Sequence, residues 1–131
     1  MKALTETIVL EAPGQDVFDY LADVRNLPGW ATEFARELKV VDGGTKVVNG
    51  RSELFFRIQA DRSTGVIDML AGPSEDELAR FPTRVVELPG NSSLFTFTMV
   101  QGPGMSDALF AEQHASLVRE LENVAARFSS R

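Results

Sequence analysis

The sequence contains no cysteine, which excludes disulfides, thiolate catalysis and zinc–thiolate sites. Cationic residues are in the minority, with 13 Lys and Arg against 19 Asp and Glu and a net charge of −6. A phosphate backbone is therefore repelled. No basic run or interleaved basic–aromatic patch offsets that charge, so nucleic acid is not expected as a partner. No apolar run approaches the roughly 20 residues needed to span a bilayer. The opening residues, Met1-Lys2-Ala3-Leu4-Thr5-Glu6, turn polar too soon for a signal peptide, and the expected location is cytoplasmic. No repeat, low-complexity linker or break in composition divides the 131 residues. One domain spanning 1–131 is expected, large enough to hold a core.

What is present is ordinary for a globular chain, 44% hydrophobic and 24% charged residues, but its patterning is informative. In the last quarter Phe110, His114, Leu117, Leu121, Val124 and Phe128 recur at spacings of four and three. That spacing places them on one stripe of a helix over Met105–Phe128, about 36 Å long. Glu112, Arg119, Glu120, Glu122 and Arg127 occupy the other, water-facing side. Ser106 and Asp107 follow Gly102-Pro103-Gly104 and supply the N-cap.

Before this helix the chain reads mostly as strands. Ala3–Glu11 alternates and is rich in β-branched residues. Gln15–Asp23 reads as a short helix packed through Val17, Phe18 and Leu21, and Asn26 begins a second one through Trp30 to about Phe34. The period then changes to two. Strands are expected at Glu37–Val41, Thr45–Val48, Arg51–Ala60, Gly65–Leu70, Leu78–Leu88 and Ser92–Gln101. Turns fall at Asp42-Gly43-Gly44, at Asn49-Gly50 as a type I′ hairpin, at Asp61–Thr64 and at Pro89-Gly90-Asn91. Ala71–Asp76 reads as a polar loop, and Pro82 interrupts its strand at an edge or bulge. Consecutive strands with tight turns form an antiparallel meander. Its apolar face needs a cover, and the terminal helix has the length and stripe to provide one.

The run Ala12-Pro13, Val17-Phe18, Tyr20-Leu21-Ala22-Asp23, Leu27-Pro28 and Trp30 resembles the opening of the START-like (SRPBCC) superfamily. That group includes bacterial polyketide cyclase/dehydrase and lipid-transport proteins and the birch-pollen-allergen fold. The resemblance covers nearly the whole chain and implies an α+β helix-grip. In that fold seven antiparallel strands wrap around a long C-terminal helix, and two short helices follow strand one. It also implies a hydrophobic cavity between sheet and helix. Members bind lipids, polyketides, hormones or other flat apolar molecules; some catalyse cyclisation or dehydration, and some act as chaperone cofactors. The iron-oxygenase branch needs two histidines and a carboxylate. His114 is the only histidine, so that activity is excluded, and no metal or cofactor is expected.

Candidate ligand-binding residues are Trp30, Phe56, Met69, Phe95, Phe97, Phe110, His114 and Leu117. Each admits a plainer reading as packed core, and Met69, Met99 and Met105 also read as core filler. Asp68, Glu53, Arg57, Arg80 and Arg84 read as solvated cross-strand charges or as inward groups that fix a polar ligand atom. Asp68 is ambiguous, because Val66, Ile67, Met69 and Leu70 put apolar groups on both faces. His114 is the polar member of an apolar stripe and should face the sheet. It is either satisfied by a hydroxyl, carbonyl or water, or it addresses a ligand as acid, base or hydrogen-bond partner. A Ser106–Asp107–His114 triad fails on geometry, since Ser106 is a cap two turns from His114 and no serine sits in an elbow motif. Gly102-Pro103-Gly104 lacks the full phosphate-loop pattern. Three functions follow: binding of an apolar small molecule, a polyketide cyclase or dehydratase reaction, or docking of a protein on an exposed sheet face that includes Phe55. The chain is expected to be a monomer or a homodimer.

Overall fold

A computed structural model describes residues 1–50 and 52–129. Strands β1 (Ala3–Leu10), β2 (Glu37–Val41), β3 (Gly44–Val48), β4 (Glu53–Asp61), β5 (Val66–Ser74), β6 (Glu77–Phe81), β7 (Thr83–Leu88) and β8 (Ser92–Val100) form one sheet. Its order is β1-β8-β7-β5-β4-β3-β2, with β6 paired to β5, and all its ladders are antiparallel. Helices α1 (Gly14–Leu21) and α2 (Leu27–Trp30) follow β1, and α3 (Asp107–Arg127) follows β8. The architecture is the α+β helix-grip that the sequence led us to expect.

The strand count differs by one, and Pro82 is the reason. Proline has no N–H to give to a ladder. The segment read as one strand, Leu78–Leu88, is split there into β6 and β7. Before the break Phe81 pairs with Met69 of β5; after it Thr83 pairs with Phe97 of β8. The Pro82 carbonyl still accepts from Thr98 N at 2.8 Å. Thr83 N, beside the break, donates to Asp68 Oδ1 at 3.2 Å.

Four local expectations are corrected. Ala71–Ser74 is strand, not loop, with a register shift between Ala71 and Ser74. Gly72 permits it, since a Cβ there would lie 1.7 Å from the Glu77 carbonyl oxygen. Two left-handed residues in a row stand at the hairpins Asp42-Gly43, with φ of +48° and +78°, and Gly90-Asn91, with +79° and +58°. At Asn49-Gly50 only Gly50 has positive φ, +89°, and Asn49 Oδ1 accepts from Ser52 N at 2.9 Å. Arg51, the expected start of β4, lies outside the described residues. The second helix ends at Trp30 rather than near Phe34, and α1 ends at Leu21 rather than Asp23. Asp23 instead accepts from Arg25 N at 3.0 Å, capping a 3₁₀ turn at Val24–Asn26.

The core lies between the concave face of the sheet and α3. Phe56 of β4, Ile67 and Met69 of β5, Val85 of β7, and Phe95 and Met99 of β8 are buried on the alternating positions of one face. Phe110, Leu117, Leu121 and Val124 of α3 are buried in the same cluster, as the stripe requires. Ser106 caps α3 by accepting from Leu109 N at 3.1 Å, so the helix begins at Asp107, two residues after the expected Met105. The phase of β5 is settled: Ile67, Met69 and Ala71 are buried, while Asp68 accepts from Arg80 Nη1 at 2.8 Å in a partly exposed cross-strand pair. Glu53 pairs likewise with Lys39 at 2.8 Å. Among the described residues, no helix is long and apolar enough to cross a membrane.

Candidate ligand cavity

α3 does not close completely on the sheet. A cavity of about 360 Å³ remains between them, within the roughly 300–1,000 Å³ range of small-molecule sites. Phe56 of β4, Met69 and Ala71 of β5, Phe81 of β6, and Phe97 and Met99 of β8 form its sheet wall. Phe81 and Phe97 stack at 5.9 Å between centroids, and Phe34 meets Phe56 at 5.9 Å. The first contact follows from strand alternation, which places every second side chain on the concave face; Phe34 reaches Phe56 from the turn after α2. Two other hollows, of about 310 and 520 Å³, are walled by charged groups such as Arg62, Arg84, Arg57 and Glu75. Apolar residues such as Phe55, Ile58 and Leu78 share the wall of the larger one with those charges, whereas the first is lined mainly by apolar groups.

Of the candidates read from the sequence, Trp30, Phe56, Met69, Phe97 and Leu117 line this cavity. Phe95 is fully buried, edge-on to Trp30 at 6.4 Å, and supports the wall from within the core. Phe110 is buried in the core cluster but is not part of the cavity wall. His114 turns toward β1, and its Nε2 lies 2.5 Å from Glu6 Oε1, with both side chains about one-third exposed. The ionised carboxylate can only accept, so Nε2 carries the hydrogen. The sequence pointed to a hydroxyl, carbonyl or water as its structural partner; the structure supplies a carboxylate from the strand opposite.

Sequence reasoning missed Phe34 and Phe81 as lining residues, and it missed Glu120. Glu120 was placed on the water-facing side of α3, yet it is only 5% exposed and lines the cavity. Its Oε2 accepts from the backbone N–H groups of Glu33 at 3.1 Å and Phe34 at 2.9 Å. Two neighbours on α3 hold the same segment. Asn123 Nδ2 donates to the Trp30 carbonyl at 3.0 Å, and Arg119 makes two bonds to the Glu33 carboxylate, at 2.7 and 2.6 Å. Residues 30–34 are thereby fastened over one end of the cavity, with Trp30 and Phe34 facing into it. The available signal was a second stripe, Gln113, Ser116, Leu117 and Glu120, at the helical spacing i, i+3, i+4 and i+7. It lies one residue round from the apolar one.

Electrostatics separate the two glutamates. Burial pushes the Glu120 carboxyl above its ordinary value, opposed by its two backbone hydrogen bonds and assisted by the nearby Glu33 charge. The Arg119 guanidinium holds the Glu33 carboxyl below the usual range, with help from the Ser116 hydroxyl. No group of three or more metal-ligating side chains occurs among the described residues.

A twisted antiparallel sheet gripping one C-terminal helix over an apolar cavity is the START-like (SRPBCC) fold. Solved structures share it. Zhui aromatase/cyclase from Streptomyces sp. R1128 is similar at a TM-score of 0.74 and 15% identity, over 96% of this chain and 92% of that one. A START superfamily protein from Mycobacterium smegmatis is similar at 0.69 and 16%, over 97% and 99%. The Aha1 dimer from Colwellia psychrerythraea is similar at 0.74 and 13%, over 98% and 96%. At these identities the likeness establishes the fold alone. No protein-family model matches the chain. Among curated proteins, zinc finger FYVE domain-containing protein 26 from Homo sapiens is 28% identical over 83 residues, 63% of this chain. The chain spans about 3% of that relative's length.

Proposed function

We propose that this protein binds an apolar small molecule, lipid-, polyketide- or aromatic-like, in the cavity between sheet and α3. The observation that carries the reading is an open cavity of about 360 Å³ whose sheet wall is aromatic and thioether side chains. An apolar cavity of about 150 Å³ takes one benzene, so this one accommodates a molecule of roughly two fused rings. Docking of a protein through Phe55 has less support, because Lys46 Nζ lies over that ring at 4.5 Å. A cyclase or dehydratase reaction has one specific observation in its favour, the buried Glu120 carboxyl at the wall. A carboxyl raised toward neutrality is suited to proton transfer.

The test uses Prodan, a neutral fluorophore built on two fused rings, with the folded protein. One dye per chain should bind with a blue-shifted emission. Ala71→Leu places a larger side chain in the wall at a residue only 6% exposed and should weaken binding at least tenfold while unfolding stays cooperative. Absence of dye binding, or binding indifferent to Ala71→Leu, would sink the proposal.

A further inference from the structure

The Glu120 carboxylate has two oxygens in different situations. Oε2 is occupied by the N–H groups of Glu33 and Phe34. Oε1 has no hydrogen-bond partner among the described residues. Yet no side-chain oxygen or nitrogen described is both sealed from solvent and without a partner. Oε1 therefore opens onto a space, and the only one of the three hollows that Glu120 lines is the apolar cavity. A lone acceptor at an apolar wall is a strong recognition element, because leaving it unmet costs more there than in water.

The rest of the lining fixes the sign of what it recognises. No lysine, arginine or histidine is among the described residues that line the cavity. Its charged side chains are Glu33 and Glu120. Beside them Arg119 is held by two bonds to Glu33, and the Arg36 charge also acts on Glu33. An anionic head group would meet two carboxylates, with no cationic side chain among the described residues of the lining. The other polar side chains of α3 in the wall, Gln113 and Ser116, lie on the same stripe as Glu120. Polar recognition is thus confined largely to the helix side, opposite the aromatic sheet wall.

We propose that the ligand is amphipathic, with an apolar body against Phe56, Phe81 and Phe97 and a hydrogen-bond donor, hydroxyl or amine, on Glu120 Oε1. The cavity discriminates against carboxylates of the same size, fatty and aromatic acids included. This rests on the cavity-binding reading above and names the ligand class within it. Glu120 is the specificity-determining residue. The two N–H bonds to Oε2 hold its carboxylate in place before any ligand arrives, so recognition requires little reorganisation.

The experiment is a calorimetric titration with four probes sharing one ring system: methylnaphthalene, naphthalenemethanol, naphthylmethylamine and naphthoic acid. Each is titrated into the wild-type protein and into Glu120→Gln. Glutamine keeps an oxygen for the Glu33 and Phe34 N–H groups and replaces the free acceptor with an amide. The alcohol, the amine or both should bind wild type about tenfold more tightly than methylnaphthalene, with naphthoic acid weakest. An amine preferred over the alcohol marks an ionic contact; an alcohol preferred over the amine marks a neutral one. In Glu120→Gln the donor preference should shrink to within about twofold while methylnaphthalene still binds. Naphthoic acid binding as tightly as the alcohol, or a donor preference that survives Glu120→Gln, overturns the assignment. Failure of all four probes together with Prodan would instead remove the cavity-binding reading itself.

Discussion

Glu120 and Glu33 lie against each other at the end of the cavity, and their environments shift them in opposite directions. For Glu120 the folded carboxyl titrates above the unfolded one. Its contribution to stability is therefore complete below the ordinary value of 4.5 and is lost as pH rises through the raised value. For Glu33 the folded value is depressed. Its contribution is present above 4.5 and is lost as pH falls through the depressed value. Arg119 and Glu33 are both substantially exposed, so the second effect is the smaller after solvent screening. Replacing Glu120 by glutamine removes one of the two titrations. The stability of Glu120→Gln relative to wild type should increase as pH is raised from below 4.5 toward neutrality. Urea unfolding at both ends of that range measures it, and a pH-independent difference between the two proteins would contradict the buried, ionisable Glu120 described here.

At the level of elements, α3 has two working stripes, and only one was legible in the sequence. Phe110, Leu117, Leu121 and Val124 announce themselves by hydrophobicity and period, and all four are buried. Leu121 is 2% exposed, so Leu121→Ala should cost about 2–5 kcal/mol in denaturant unfolding. Leu109→Ala, at a residue 43% exposed on the same helix, should change stability by less than about 0.5 kcal/mol. A loss below about 1 kcal/mol at Leu121 would argue that α3 does not pack on the sheet as described. The second stripe escaped because glutamate, serine and glutamine read as solvent-facing unless the chain that covers them is known. That cover is residues 30–34. They turn after α2, with Ala35 N donating to the Ala31 carbonyl at 2.8 Å, and Glu120 accepts from the N–H groups of Glu33 and Phe34 within that turn. Nothing local in the sequence marks such a pairing across 86 and 87 residues. The split at Pro82 was legible as an interruption, since proline cannot serve a ladder. The gain of β8 as a second partner for β7, which keeps β5 at Val66–Arg84, was not, because it depends on where β5 and β8 run.

For the whole molecule, strand alternation, turn residues and the helical stripe were enough to give the helix-grip, since each is a local property repeated along the chain. A cavity is different: it is the space left where opposing side chains fail to meet. Alternation identifies which residues face inward, but not whether they touch. Phe95 and Phe97 are two apart on β8 and equally apolar, yet one is sealed behind Trp30 and the other lines the cavity. An unfilled cavity forfeits the dispersion contacts its lining would otherwise make. Occupying it should therefore feed back on the stability of the fold. A ligand that binds only the folded chain stabilises it by about 2.7 kcal/mol at one hundred times its dissociation constant. For a domain of this size that is a rise in Tm on the order of 10 °C. Scanning calorimetry with increasing naphthalenemethanol should show a Tm that climbs with concentration in the wild type and barely moves in Ala71→Leu. A Tm that stays constant in the wild type well above the measured dissociation constant would mean that the alcohol binds outside the folded cavity. An equal rise in Ala71→Leu would place its binding away from the β5 wall.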